Sequence, residues 1–471
     1  MQIRLSVLAT FLVSGVLIAC SGGQEEETLV IQNVTVISGA GQAPADATVI
    51  LRGRLIEQVG VGIDAPAGAR VIDGTGKYLI PGLFEMHAHT SKTRASALGL
   101  YVVNGVTTVR DVGGDHEELL GWRREVRAGE RTGPRLLIAG PYLESADNVE
   151  RMRNTPPEEM VEPVERTRIP VGTPERARHV VDSLAELELD YLKIRTVQDG
   201  ETFRALNEAA EAHGLKLVGH TFGLPVELLL EAGHDGIDHF LYPTLDSLAS
   251  EDRMALWGRL AERGVAIIPT LSITEGSANR SAASLQAVVE DSLGEADPRR
   301  RYISRFLMLD WREQALEASD DNRAIYKMVY ASTLRNVREM HEAGVPVLTG
   351  TDVAVIDVLP GYSLHDEIAL FVEQLGLTPL EALESATRKP AEFLGIADSV
   401  GTIAPGMIAD MVLLDADPLA NIRNTMSVEA VFLRGQMFDR AELDALLEAV
   451  ASAPDQTVND WPRVSSGVEG R

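Results

Sequence analysis

Apolar and polar positions follow two rhythms along this chain, and the change falls near residue 90. Residues 29–37 (LVIQNVTVI) alternate with period two, as a strand with one covered face does. Residues 47–51, 55–59 and 69–72 are further short strands with Gly, Pro and Asp between them. No helical period precedes residue 90. Residues 78–90 (YLIPGLFEMHAHT) are short apolar runs turned through Pro81-Gly82, which read as buried strand. Beyond them, apolar spacing predicts helices over 94–104, 116–128, 175–188, 201–213, 225–232, 252–263 and 331–342. Strands are predicted to begin near 83, 106, 135, 191, 216, 236, 265 and 346. Strands alternating with helices imply right-handed βαβ units and an α/β fold, and eight such units suggest a (β/α)8 TIM barrel.

The expected organisation places a signal peptide at 1–19, a tether at 20–28 and the first part of a small β-sandwich at 29–80. The barrel then spans 81–397, the second part of the sandwich 398–440, and a C-terminal tail 441–471. Residues 276–327 form a long insertion between strands seven and eight, with an acid–base run at 290–301 and a helical stretch at 302–318. It is either a solvated connector or a lid over the barrel mouth.

Composition changes this picture in three ways. With 471 residues, 45% of them apolar, there is ample material for a large core. The formal charge of -27 argues against nucleic acid or an anionic membrane surface as partner, since both need a basic face. The only cysteine, Cys20, excludes an intramolecular disulfide. It follows a basic start and an apolar run over 5–19, the pattern of a secretory signal peptide. The segment Leu17-Ile18-Ala19-Cys20 resembles a bacterial lipobox, which implies cleavage before Cys20 and lipidation of its thiol. The mature protein would then be exported to the periplasmic face of a bacterial membrane, touching it only through an N-terminal lipid anchor. A plain signal peptide or an uncleaved anchor is the alternative.

The candidate chemistry lies at the predicted strand ends. His87 and His89 point the same way at the end of strand one, which makes half of a metal site. Lys193 lies in strand four, His220 follows strand five, His239 strand six and Asp352 strand eight. Barrel enzymes carry their active sites at the C-terminal ends of the strands, so all six converge on one mouth. Four His and one Asp suit a borderline divalent ion. A lysine in an apolar strand is costly unless paired or altered.

Taken with 81–90 (PGLFEMHAHT), 236–239 (GIDH), 349–352 (TGTD), 377–395 and 401–418, these residues resemble the amidohydrolase superfamily. The branch is the prolidase-like and imidazolonepropionase-related one, and the likeness covers nearly the whole mature chain. The resemblance implies two divalent metal ions, zinc first among them. His87, His89 and Asp352 would hold one ion, His220 and His239 the other, and N6-carboxylated Lys193 would bridge both. A hydroxide shared by the ions would attack a carbonyl, with Asp352 taking its proton and passing it to the leaving group. The implied substrate is a small molecule, a dipeptide or an N-acyl amino acid. Alternatives are a lactone, ester, organophosphate or cyclic imidazolone hydrolase, a deaminase, and a non-catalytic binding lipoprotein. Lys193 counts against the deaminase. Asp238 stands where relatives more often have Glu. Tyr242 is a candidate donor to an oxyanion or a packing residue. Arg110 and Arg195 are candidates for a substrate carboxylate, or for structural pairing with Asp111 or nearby acids. His365 is expected to be structural. A homo-oligomer is left open.

Overall fold

A computed structural model describes residues 27–41, 43–154, 164–240 and 242–453. The expected signal peptide, Cys20, most of the tether and the tail beyond 453 lie outside them. Among the described residues no helix is long and apolar enough to cross a membrane.

The chain begins with β1 (Thr28–Val36), β2 (Ala45–Arg52), β3 (Leu55–Gly60), β4 (Arg70–Asp73) and β5 (Tyr78–Pro81). The alternation in β1 slips once. Its register against β2 shifts between Ile31 and Val34, and Asn33 takes φ 56°. This bulge lets Leu29, Ile31, Val34 and Val36 all face one core.

The second rhythm gives two parallel sheets. β6 (Leu83–Ala88), β7 (Val106–Asp111) and β8 (Arg135–Ile138) form the first. The second contains β9 (Tyr142–Glu144), β10 (Arg168–Pro170), β11 (Tyr191–Ile194), β12 (Lys216–Gly219), β13 (Gly236–Asp238) and β14 (Ala266–Ile268). Its order is β10-β9-β11-β12-β13-β14. Backbone hydrogen bonds join the two sheets on both sides. On one side Asp190 N donates to Ile138 O at 3.0 Å. On the other, residues 346–353 run between β14 and β6. Ile267 N donates to Pro346 O at 2.9 Å, Met86 N to Thr349 O at 3.0 Å, and Asp352 N to His87 O at 2.9 Å.

Three sequence expectations need adjustment. The strand expected at 346–350 pairs only through isolated bridges, such as Val347 with Ile267. Its ladder is interrupted because Thr349 N turns to Ser385 O instead. The helix expected over 94–104 breaks into Thr90–Thr93, a 3-10 turn Ala95–Ala97 and Leu98–Val103, because Arg94 takes φ 70°. The helix expected to start at 331 starts at Arg323. The insertion carries helices Ala282–Glu290 and Arg305–Glu317, whose Val288, Leu307, Met308 and Trp311 pack against Ala354, Ile356 and Leu359.

The chain closes with β15 (Met411–Leu414), β16 (Val428–Leu433) and β17 (Gln436–Phe438), which return to the first strands. The joint sheet has the order β17-β16-β15-β5-β1-β2-β3, with β4 on β1. Its central strands are apolar on both faces for a reason. Leu79, Met411 and Leu413 face the sheet's own core, whereas Ile80, Val412 and Leu414 join the core of the parallel strands.

Candidate active site

His87 and His89 are two apart at the end of β6, so both project to one side. Asp352 meets them. His87 Nε2 lies 3.4 Å and His89 Nε2 2.9 Å from Asp352 Oδ1, and His239 Nε2 lies 3.7 Å from Oδ2. The His239 ring is 4.7 Å from that of His87 and 5.0 Å from that of His220. Four imidazoles and one carboxylate therefore form a continuous cluster. Within it, donor atoms of His87, His89 and Asp352 lie within 4.8 Å of one another. Lys193 joins from below: its Nζ is 2.5 Å from Asp238 Oδ2, and Asp238 Oδ1 is 3.5 Å from His87 Nδ1.

The backbone is bent to bring these groups inward. His239, Thr270 and Asp352, at three successive strand ends, have φ of 60°, 47° and 58°. Non-glycine residues take this left-handed region at an energetic cost, and such strain collects at functional sites. Close approach matters too. A Cβ on Gly350 would lie 2.9 Å from His87 Cβ and 2.6 Å from Ile268 Cγ2.

Burial favours the neutral form of three of the four imidazoles, whereas in His87 the charges of Asp238 and Asp352 outweigh burial and raise it. Burial lowers His89 to about 4 and His239 to about 3, and lowers His220 well below its ordinary value. The Thr270 hydroxyl donates to Pro269 O at 2.8 Å, so it accepts from His239 Nδ1 at 2.6 Å. That tautomer leaves the His239 Nε2 lone pair directed at the cluster. Burial would raise Asp352, yet the charge of His87 and the close contact with His89 outweigh it and hold the carboxylate well below its usual range. Burial lowers Lys193, with Asp238 opposing. His87 is the test of a metal. It is fully enclosed, and neither ring nitrogen makes a hydrogen bond; the nearest acceptors, Asp238 Oδ1 and Asp352 Oδ1, stand off at 3.5 and 3.4 Å. A buried imidazole with two orphaned nitrogens is costly unless something binds it, so this donor set fits an ion.

The three substrate candidates fare differently. Arg110 is completely buried, donates to Met86 O and Asp238 Oδ1 at 2.6 Å each, and lies over the Tyr191 ring. Its partner is Asp238 rather than Asp111, and its enclosure removes it as a substrate contact. The Tyr242 hydroxyl donates to Thr221 O at 2.7 Å, which commits it to holding the loop after β12. Arg195 remains about one-third exposed, 3.3 Å from Glu144 Oε1 and over the Tyr142 ring. His365 is structural as expected, between Thr425 Oγ1 and Asn104 O.

Sequence reasoning missed two groups. Glu85 accepts from His87 N and Thr351 N, both at 2.9 Å, and from Thr351 Oγ1 at 2.8 Å, clamping β6 to the Asp352 segment. A lone acid inside the apolar run LFEMHA was the available signal. Tyr142, whose hydroxyl is 2.7 Å from His89 Nδ1, gave none.

Residues 78–438 match the amidohydrolase family, and the chain belongs to it. An uncharacterised Mycobacterium tuberculosis protein is 25% identical over 393 residues, 77% of this chain and 86% of that protein. The adenine deaminase of Deinococcus deserti is 26% identical over 412 residues, 84% of this chain but 58% of the deaminase. Among solved structures, a Bifidobacterium longum protein assigned as a prolidase superposes with a TM-score of 0.67 at 26% identity, over 90% of this chain and 99% of that one.

Proposed function

We propose that this chain is an exported, metal-dependent hydrolase that cleaves the amide bond of a dipeptide or an N-acyl amino acid. The observation that carries this reading is the cluster around His87, whose two buried ring nitrogens make no hydrogen bond and face only the carboxylates of Asp352 and Asp238, at 3.4 and 3.5 Å. The parallel strands, linked on both sides by backbone hydrogen bonds, support a closed (β/α)8 barrel with the cluster at its C-terminal mouth. The likeness to the Bifidobacterium longum protein supports a dipeptide.

His87, His89 and Asp352 would hold one divalent ion, His220 and His239 a second, and carboxylated Lys193 would lie between them. Two such ions, zinc first among them, supply Lewis acidity toward a carbonyl and toward water. The side chains do the rest. Asp352 Oδ1 and Oδ2 face the imidazole Nε2 atoms, where the carboxylate accepts the proton of attacking water and returns it to the leaving nitrogen. Thr270 keeps His239 in the tautomer that points Nε2 inward. Carboxylation requires a neutral Lys193 amine, which burial favours; it also requires Lys193 to give up its ion pair with Asp238. Arg195 at the rim binds a substrate carboxylate by its fork geometry.

The similarity to adenine deaminase favours a second reading, a deaminase. One experiment separates the two. Zinc is counted per chain on protein reconstituted with bicarbonate, and a panel of dipeptides, N-acyl amino acids and adenine is assayed. Two zinc ions with amino acid release are expected. Ammonia from adenine without amino acid release supports the deaminase, and no bound metal overturns both.

A further inference from the structure

We propose that the 276–327 insertion braces the turn that carries Asp352, and that it acts through Gln314 as a positioning residue. The inference rests on Asp352 being a metal ligand, as argued above. The turn is an improbable one. Asp352, Ala354 and Asp357 all have positive φ, at 58°, 144° and 64°, and none is glycine. Such a run persists only where its surroundings over-determine it.

Helix Arg305–Glu317 supplies that determination. Gln314 Nε2 donates to Ala354 O at 3.0 Å and to Asp310 Oδ2 at 2.8 Å, and its Oε1 accepts from Ile356 N at 2.9 Å. Both amide protons and the carbonyl are thus used, and only this amide orientation satisfies all three contacts. Asp310 continues the chain of contacts, with its Oδ1 3.4 Å from Lys92 Nζ, three residues past His89. A single helix therefore links the segment after His89 to the segment after Asp352. Ion pairs from Arg280 and Arg300 to Asp357, at 2.8 and 3.2 Å, hold the far end of the turn. Trp311 is fully buried in the cluster that contains Ala354 and Ile356. These contacts make the insertion part of the scaffold of the site.

The test is a double-mutant cycle in zinc affinity, read by chelator competition on metal-stripped protein, and it needs no substrate. Gln314→Met keeps the length of the side chain and removes all three hydrogen bonds. It is expected to weaken zinc binding about 10-fold or more with an unchanged circular dichroism spectrum, the size of effect seen for groups that orient ligands. In an Asp352→Asn background the same change should add less than about 2-fold, since its route is then already cut. Zinc affinity within about 2-fold of the parent, or an equal loss in both backgrounds, overturns the brace. Should Gln314→Met fail to fold, Gln314→Glu keeps the acceptor and loses the donors, with the same expectation. Normal zinc binding by Asp352→Asn alone overturns the ligand reading and the brace with it. Weak binding there beside normal binding by Gln314→Met overturns only the brace.

Discussion

Lys193 is held by one carboxylate, and that carboxylate is shared. Asp238 takes the Lys193 ammonium on one oxygen and the Arg110 guanidinium on the other, all three fully enclosed. Arg110 remains to balance Asp238 when Lys193 leaves, so the lysine is the member free to change chemistry. Lys193→Ala is expected to lose most bound zinc and to recover part of it on addition of a small carboxylic acid such as acetate. Unchanged zinc content in the variant would remove Lys193 from the bridging role. Of the six clustered residues, five were legible because each stands at or just past the end of an apolar run, and Lys193 because a cation interrupts one. Arg110 was not. Its partner lies 128 positions away, and an arginine after a strand looks the same whether it faces substrate or a buried acid. Arg195, after β11, meets Tyr142 and Glu144 of β9, and a pairing between separate strands leaves no local pattern to announce it.

Among the elements, the strand ends bear the strain. Regular strands leave their last side chains alternating outward and inward; the positive φ of His239, Thr270 and Asp352 turns consecutive strand ends toward one centre. Sequence period finds a strand and is silent on such a bend, which any residue can be forced into by its neighbours. The same silence hid the break at Arg94 and the irregular pairing of 346–350. Gly350 is a position where this geometry leaves no room for a side chain. Gly350→Ala is expected to destabilise the fold by about 1–3 kcal/mol through overpacking against His87 and Ile268. The check is the urea midpoint together with zinc content, and a parental value of both would show that β6 can yield there.

At the scale of the whole molecule, the chain is acidic, and several of its carboxyls sit deep in the packing. One of them, Glu367, ties helix Tyr362–Glu373 to the start of helix Leu271–Asn279 by accepting from Leu271 N, Ser272 N and Ser272 Oγ. Burial raises it to about 7 from an ordinary 4.5. The folded value lies above the unfolded one, so its stabilisation is complete below about pH 4.5 and is lost as pH rises through about 7, on the order of 3 kcal/mol in all. Glu367→Gln, which cannot ionise, should flatten that part of the stability curve. Urea unfolding at pH 5 and pH 7.5 measures it, and an unaltered slope would mean another group titrates.

The joint sheet has a further consequence, one of timing. β5 has β1 on one side and β15 on the other, and their partnership spans more than three hundred residues. During synthesis the first strands emerge with one edge of β5 bare, and they wait for the last part of the chain before that edge is covered. An uncovered edge is a template for pairing with another chain, and contacts so distant in sequence form slowly. The newborn protein is therefore most exposed to misassembly in the interval before residue 411 arrives, and whatever shields it then must recognise an unfinished sheet.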